Sequence, residues 1–308
     1  MKSEVTMTEQ RTPEWYAQRK MRITGSRIGT VLGLNSFKTA NDVMREMVRE
    51  YHDYPSEFTG NIATEHGNSH ERQAILAFMR EADLFVEECG FYPYGDFLGA
   101  SPDGLGTYHD GRKFVLEIKV PFGLRNKENV EFKTITEQPS YYAQVQMEII
   151  AAQADFAFFV QYVPPFKNEL GVEIDEQIKV DIVAKDEYWL DNNLQKLTEF
   201  YDLLQLELGN PAHLEPLTIT LDTQETLEIV QQIDAIKARI KRDQDTEKAL
   251  ISQLADLTEG KNATIHGRKF TLVSKQGAIS YAKVVNDFMP NADLEAYRGK
   301  PTSYWKLS

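Results

Sequence analysis

Asp103, Glu117 and Lys119 are the residues of this 308-residue chain whose types and spacing could do chemistry. Asp103 stands in the Gly/Pro-punctuated stretch SPDG, and Glu117 and Lys119 lie two apart in the apolar run FVLEIKV. Residues two apart in an extended chain point to one face, so Glu117 and Lys119 share a surface, and a hairpin between neighbouring strands would bring Asp103 onto it. Two carboxylates and an ammonium then converge. Carboxylate oxygens are hard ligands suited to Mg²⁺ or Mn²⁺, ions that leave positions open for a substrate phosphate. The chemistry this set suits is hydrolysis of a phosphodiester, with Lys119 orienting or activating the attacking water and the cation offsetting the charge that builds on phosphorus and the leaving oxygen. An isolated E-x-K pair is more often a solvated ion pair on a strand edge. Here the flanks are apolar, and a carboxylate in that setting is costly to desolvate without a compensating cation.

Positioning these residues requires a scaffold. Residues 12–50 read as helical pieces: one opening near Pro13 and running through Trp15 and Tyr16, one from Ser26 to Leu32 with TGS as its N-terminal cap, and one beginning near Ala40. Within 61–82, Ala74, Ile75, Phe78 and Met79 have helical spacing, and Glu71 lies on the early part of that helix. From Leu84 to Lys119 the pattern turns to strands, LFVEECGFYPY, FLGASPDGLG and KFVLEIKV, a meander with a tight turn at His109-Asp-Gly. Residues 139–153 return to helical periodicity, FAFFVQYV and QIKVDIVA follow as strands, and a helix from about Asp186 to Leu208 closes at Gly209-Asn-Pro. This order predicts an α/β or α+β fold around a mixed central sheet.

Beyond Pro216 the character changes. Ile229, Ile233, Ile236, Ile240, Leu250, Leu254 and Leu257 follow alternating steps of four and three, and Asp243 and Glu247 occupy two intervening core slots. That is the pattern of a coiled coil or helical hairpin with a polar interruption. Asp222 with Glu225 reads as its capping pair and Gly260 as its terminator. A small hairpin (TIHGRKFTLVSK), a helix through Phe288 and an aromatic tail (SYWKLS) are expected to follow. Two domains are therefore expected, residues 1–209 and 217–308.

Composition removes other classes. One cysteine and six histidines offer no zinc spacing and no internal disulfide. No apolar run approaches a membrane span, and the first ten residues do not resemble a secretory signal, so a cytoplasmic protein is expected. A net charge of -13 argues against a protein that coats nucleic acid, because such binding needs broad basic surfaces. Any contact with DNA must be local.

Taken in order, WYAQRKMRITGSRIG, GNSHERQAILAF, GASPDGLG, LEIKVPF and YYAQVQM make the chain resemble the lambda-type, or YqaJ-like, viral recombination exonucleases of the PD-(D/E)XK nuclease superfamily over roughly residues 12–208. The resemblance implies a PD-(D/E)XK core, a central mixed β-sheet flanked by helices, with a C-terminal helical or coiled-coil segment and a small α+β piece appended. It implies that Asp103, Glu117, Glu71 and the backbone carbonyl of Ile118 hold two Mg²⁺ ions, with Mn²⁺ as substitute. Lys119 would position the attacking water and Gln144 would complete the site. Arg19, Ser26 and Ser101 match the family's pocket for a terminal 5′-phosphate, and a guanidinium with two hydroxyls supplies converging donors to a dianion. Lys20, Arg22, Arg27 and Arg125 are further basic candidates along a DNA path.

The same resemblance implies digestion of one strand of duplex DNA from its ends in the 5′-to-3′ direction, releasing mononucleotides and leaving a 3′ tail for a single-strand annealing protein. Relatives of this kind commonly form trimeric rings, and enclosure by a ring would keep an acidic protein on DNA. Two rival readings stand beside it. One is an endonuclease of the same superfamily, which would cut closed circular duplex. The other is a non-catalytic scaffold that uses the C-terminal region for protein contacts. The shortest relatives end near the equivalent of residue 208, so residues 217–308 either pack on their own domain or serve an oligomer or annealing partner.

Overall fold

The computed structural model of the chain describes residues 9–274 and Val285. It divides into two compact units, Met1–Ile219 and Thr220–Ser308.

The first unit opens with α1 (Pro13–Arg19), started by Pro13 and capped by Thr12, whose hydroxyl accepts from the Trp15 N–H at 3.3 Å. β1 (Ile23–Thr24) runs directly into α2 (Gly25–Val31). Thr24 is the cap residue and makes no side-chain capping bond, so Ser26 lies inside the first turn and does not cap it. α3 (Ala40–Tyr51) begins at a Thr39–Asp42 capping box, and α4 (Ile62–Ala82) is capped by Asn61.

The expected three-strand meander breaks at SPDG. β2 (Tyr92–Tyr94) and β3 (Leu98–Ala100) pair antiparallel, and β1 joins β3 in parallel, giving one three-stranded sheet. β4 (Gly104–Thr107) and β5 (Lys113–Lys119) pair in a different sheet. Pro102 has no N–H to continue a ladder, and Asp103 switches partners: its N–H donates to the Leu116 carbonyl at 2.9 Å, while its Oδ2 accepts from the Ile118 N–H at 2.7 Å. The stretch Leu84–Phe91, also expected as strand, contributes only the bridge Glu87–Leu105.

α5 (Pro139–Ala152) crosses from β5 to the parallel strand β6 (Phe156–Val163). A ribbon of β7 (Phe166–Lys167) and β8 (Glu173–Ile174) leads to β9 (Gln177–Ala184) and then to α6 (Trp189–Glu207). The four-stranded sheet is ordered β4-β5-β6-β9 and is mixed, antiparallel at both edges and parallel at its centre. The fold is therefore α/β around a central mixed sheet. Along β5 the pleat sorts side chains by period two. Phe114, Leu116 and Ile118 pack with Ala74, Ala77 and Phe78 of α4, and Val115 packs with Val145 and Ile149 of α5. Glu117 and Lys119 continue the face of Val115, toward α5.

α2 packs tightly on α5 because position 29 has no side chain. A Cβ at Gly29 would stand 2.8 Å from the Ser140 carbonyl oxygen and 2.9 Å from its Cα. After α6 the chain stays on this unit beyond Gly209. Arg45 donates to the carbonyls of Ala212 and Glu215, Arg49 to that of Leu214, and Glu57 accepts from the Leu217 N–H.

In the second unit α7 (Gln224–Leu257) is one continuous helix of 34 residues. The heptad pattern is present, but no hairpin forms within it, since no Gly or Pro interrupts residues 224–257. Its cap is the pair Thr223 and Thr226, not Asp222 and Glu225. Ile229, Ile236, Ile240, Leu250 and Leu257 are exposed. Gly260 follows the helix at φ +69, and β10 (Ala263–Ile265) pairs with β11 (Arg268–Phe270) around His266-Gly267. The expected helix through Phe288 and the tail SYWKLS lie outside the described residues.

Candidate active site

β5 delivers Glu117 and Lys119 to the face covered by α5, and α5 answers with Gln144 and Glu148, one turn apart. The Gln144 Nε2 donates to Glu117 Oε1 at 2.7 Å and to Glu148 Oε1 at 2.9 Å, and the Gln144 Oε1 accepts from Lys119 Nζ at 3.3 Å. Lys119 Nζ also stands 2.5 Å from Glu117 Oε1 and 4.7 Å above the Tyr141 ring. Asp103 reaches the same place through its hydrogen bond to the Ile118 N–H.

The balance of charge here is strained. Glu117 and Glu148 are both buried, and each keeps one Oε2 without a hydrogen-bond partner among the described residues. Burial, reinforced by the charge of Glu117, pushes the Asp103 and Glu148 carboxyls well above the usual carboxylate range. Burial pulls the Lys119 ammonium the other way, but Glu117, Tyr141 and Asp103 outweigh it and hold Lys119 above the ordinary lysine value, fully protonated.

Glu71 lines the same cleft from α4 and is ion-paired with Arg11 at 2.7 Å. Among the described residues no three His, Cys, Asp or Glu side chains already enclose a point where a metal ion would sit. Glu71 is drawn to Arg11, and Glu117 to Lys119 and Gln144. The donor set nevertheless suits a hard divalent cation: Asp103, Glu117 and Glu71 share one cleft with the cations Lys119 and Arg11, and Glu117 Oε2 is buried and unpaired.

The cleft, about 740 Å³, also contains Arg19, Ser26 and Ser101. Arg19 donates to Ser101 Oγ at 3.1 Å and to Ser26 Oγ at 3.4 Å, and its guanidinium lies 4.0 Å from the Trp15 ring centre. Trp15 Nε1 donates to the same Ser101 hydroxyl at 3.0 Å, fixing the arrangement from a second side. Burial and then the charge of Arg27 depress Arg19 to about 10, which leaves it charged at neutral pH. Among the described residues no carboxylate stands within ion-pairing distance of Arg19, so this partly buried cation suits an incoming anion.

All eight side chains singled out from the sequence, and Ile118, therefore line one cleft. The four additional cations do not. Lys20 is paired with Asp53 at 2.6 Å and Arg27 with Glu50. Arg22 donates to the carbonyls of Gly95 and Leu98, and Arg125 stacks 3.4 Å above Phe122. Sequence reasoning missed Glu148. Its signal was a lone glutamate in the apolar run QMEIIAA, four residues after Gln144 and so on the same helix face.

Residues 14–155 match the family model of the YqaJ-like viral recombinase domain. Two solved structures share the fold. The crystal structure of an alkaline exonuclease (LHK-Exo) from Laribacter hongkongensis is 22% identical with a TM-score of 0.50, covering 64% of this chain and 94% of that one. The same protein in complex with dAMP is 24% identical with a TM-score of 0.51, at the same coverage. No curated protein matches the chain.

Proposed function

We propose, from the match of residues 14–155 to the YqaJ-like viral recombinase domain, that the chain is a metal-dependent exonuclease that digests one strand of linear double-stranded DNA from its 5′ end. The observation that carries the proposal is the single cleft in which the Asp103, Glu117, Lys119 and Gln144 cluster is joined to the Arg19, Ser26 and Ser101 pocket.

Asp103, Glu117, Glu71 and the carbonyl of Ile118 would hold Mg²⁺, with Mn²⁺ as substitute and two ions in all. The bound cations supply Lewis-acid stabilisation of the negative charge that builds on the phosphodiester during hydrolysis. Lys119, kept protonated by Glu117, orients the water that attacks phosphorus. Gln144 holds the Glu117 carboxylate and the Lys119 ammonium in register. Arg19, Ser26 and Ser101 bind the terminal 5′-phosphate and so place the next phosphodiester over the carboxylates. Water forms the new P–O bond, the P–O3′ bond breaks, and the leaving 3′-oxygen takes up a proton. One mononucleotide departs and the shortened strand carries a new 5′-phosphate, which returns to the same pocket. This regeneration supports repeated cleavage with 5′-to-3′ polarity.

Residues 1–209 would be the nuclease domain and 217–308 an extension that serves the homo-oligomer, a trimeric ring, or a single-strand annealing protein that takes the 3′ tail. The setting would be the cytoplasm of a bacterial host. No helix among the described residues is long and apolar enough to cross a membrane.

The test is digestion of 5′-phosphorylated linear duplex with Mg²⁺, each strand labelled in turn at its 5′ or its 3′ end. Immediate release of labelled mononucleotide from 5′ labels, and retention of 3′ label until late, is the expected result. Early loss of 3′ label would overturn the polarity.

A further inference from the structure

Resting on the nuclease reading above, we propose that Glu148 is a positioning residue of the site, fixing the orientation of the Gln144 carboxamide and, through it, the Glu117–Lys119 pair. A carboxamide has two faces of opposite character, an NH₂ with two donors and an oxygen that only accepts. Both Gln144 donors are used, one on Glu117 Oε1 at 2.7 Å and one on Glu148 Oε1 at 2.9 Å, while the oxygen takes the Lys119 Nζ at 3.3 Å. A reversed amide would turn its oxygen toward the Glu117 carboxylate and its NH₂ toward the Lys119 ammonium, so the group has one stable setting.

Glu148 is the member of this arrangement that no step of hydrolysis uses. It is 1% exposed, and its position one turn beyond Gln144 on α5 places it beneath the amide. A buried carboxylate in an apolar helix is expensive to keep unless it answers a donor that water cannot reach. The second Gln144 N–H is that donor. With Glu148 removed it would have no acceptor, and the amide would be held by Glu117 and Lys119 alone. Outer groups that orient the residues around a metal typically contribute about 10- to 100-fold in activity or metal affinity.

The experiment compares the full chain with Glu148→Gln, which keeps an acceptor for Gln144, and Glu148→Leu, which does not. Four quantities are read: kcat and KM on 5′-phosphorylated duplex with Mg²⁺, Mn²⁺ affinity of the DNA-free protein, melting temperature, and solvent-exchange protection of the Gln144 side-chain amide by ¹⁵N NMR. The amide signal is assigned by its absence in Gln144→Leu. Glu148→Gln is expected to stay close to the parent in all four. Glu148→Leu is expected to lose kcat about 10- to 100-fold with KM for DNA held, and to lose protection of the amide. Equal loss of kcat and of Mn²⁺ affinity in both variants would make Glu148 a ligand in its own right and overturn the positioning role. An unchanged Glu148→Leu would overturn it as well. Should Glu148→Leu fail to fold, the parent decides: two protected Gln144 amide hydrogens support the proposal and freely exchanging ones refute it. A folded parent that cleaves no DNA would sink the nuclease reading alone, and the amide signal would then decide the role of Glu148.

Discussion

Arg19 donates to the hydroxyl of Ser101 at 3.1 Å, two residues ahead of Asp103. The cation proposed to hold a 5′-phosphate is thus tied to the turn that carries Asp103, a proposed metal ligand. Ser101 and Asp103 sit on either side of Pro102, where the chain leaves β3 and enters β4. In the proposed nuclease, this one short segment would set the distance between the end of the substrate strand and the site of cleavage.

Replacing Arg19 with alanine should weaken recognition of the strand end more than the chemistry. A charge-assisted hydrogen bond contributes about 1.5–3 kcal/mol, so the preference for 5′-phosphate over 5′-hydroxyl ends should fall by roughly 10- to 150-fold. Initial rates on the two kinds of end measure it. Parent protein that shows no preference would remove Arg19, Ser26 and Ser101 from the pocket.

Gly29 is where α2, which carries Ser26, closes on α5, which carries Gln144. Gly29→Val would drive a branched side chain into the Ser140 backbone, at a cost of about 1–3 kcal/mol for overpacking. The urea midpoint should fall accordingly. An unchanged midpoint would show that the two helices are not locked at this contact.

Glu57 links stability to pH. The Arg45 side chain and then the Leu217 N–H hold its carboxyl at about 2, below the ordinary 4.5. A depressed carboxyl stabilises the fold above its unfolded pKa and loses that contribution as pH falls through the folded one. The parent should therefore melt above Glu57→Gln at neutral pH, and the gap should close between about pH 4.5 and 2. A gap that stays constant with pH would mean the Glu57 charge is not what matters.

The place at which the chain is cut should decide whether the first unit survives alone. Ending after Ile219 keeps the carbonyls held by Arg45 and Arg49 and the N–H held by Glu57. Ending at Gly209 strips them away and leaves the buried Arg49 short of acceptors, a penalty of about 1–3 kcal/mol. Denaturation midpoints of the two truncations should rank in that order. Equal midpoints would mean the segment after Gly209 is not part of the first unit.

The central sheet was legible in the sequence wherever local pattern and burial agree. FAFFVQYV is β6 and QIKVDIVA is β9, residue for residue: the apolar run lies between β5 and β9, and the alternating run pairs with it along its whole length at the edge of the sheet. The pairing of Glu117 with Lys119 followed from the period of a strand, and the salt bridge at 2.5 Å is its outcome. SPDG hid a change of sheet: strand pattern reads the same on either side of Pro102, and only the partners differ. Glu148 was hidden for a similar reason, since a glutamate in an apolar helix declares its purpose only when Glu117 and Gln144 are placed beside it. The caps of α7 went to Thr223 and Thr226, where hydroxyls serve as well as the carboxylates that drew notice.

The most direct test of the whole account is mononucleotide release from matched linear and covalently closed circular duplexes of one sequence, with and without Mg²⁺, by the parent and by Asp103→Asn. Asparagine keeps an acceptor for the Ile118 N–H, so the fold should hold while the ligand charge is lost. The expected result is Mg²⁺-dependent release from linear DNA, none from closed circles, and a loss on the order of 10³-fold in the variant, the equivalent of several kcal/mol of charge stabilisation. Cleavage of the closed circle, or undiminished activity in Asp103→Asn, would contradict it.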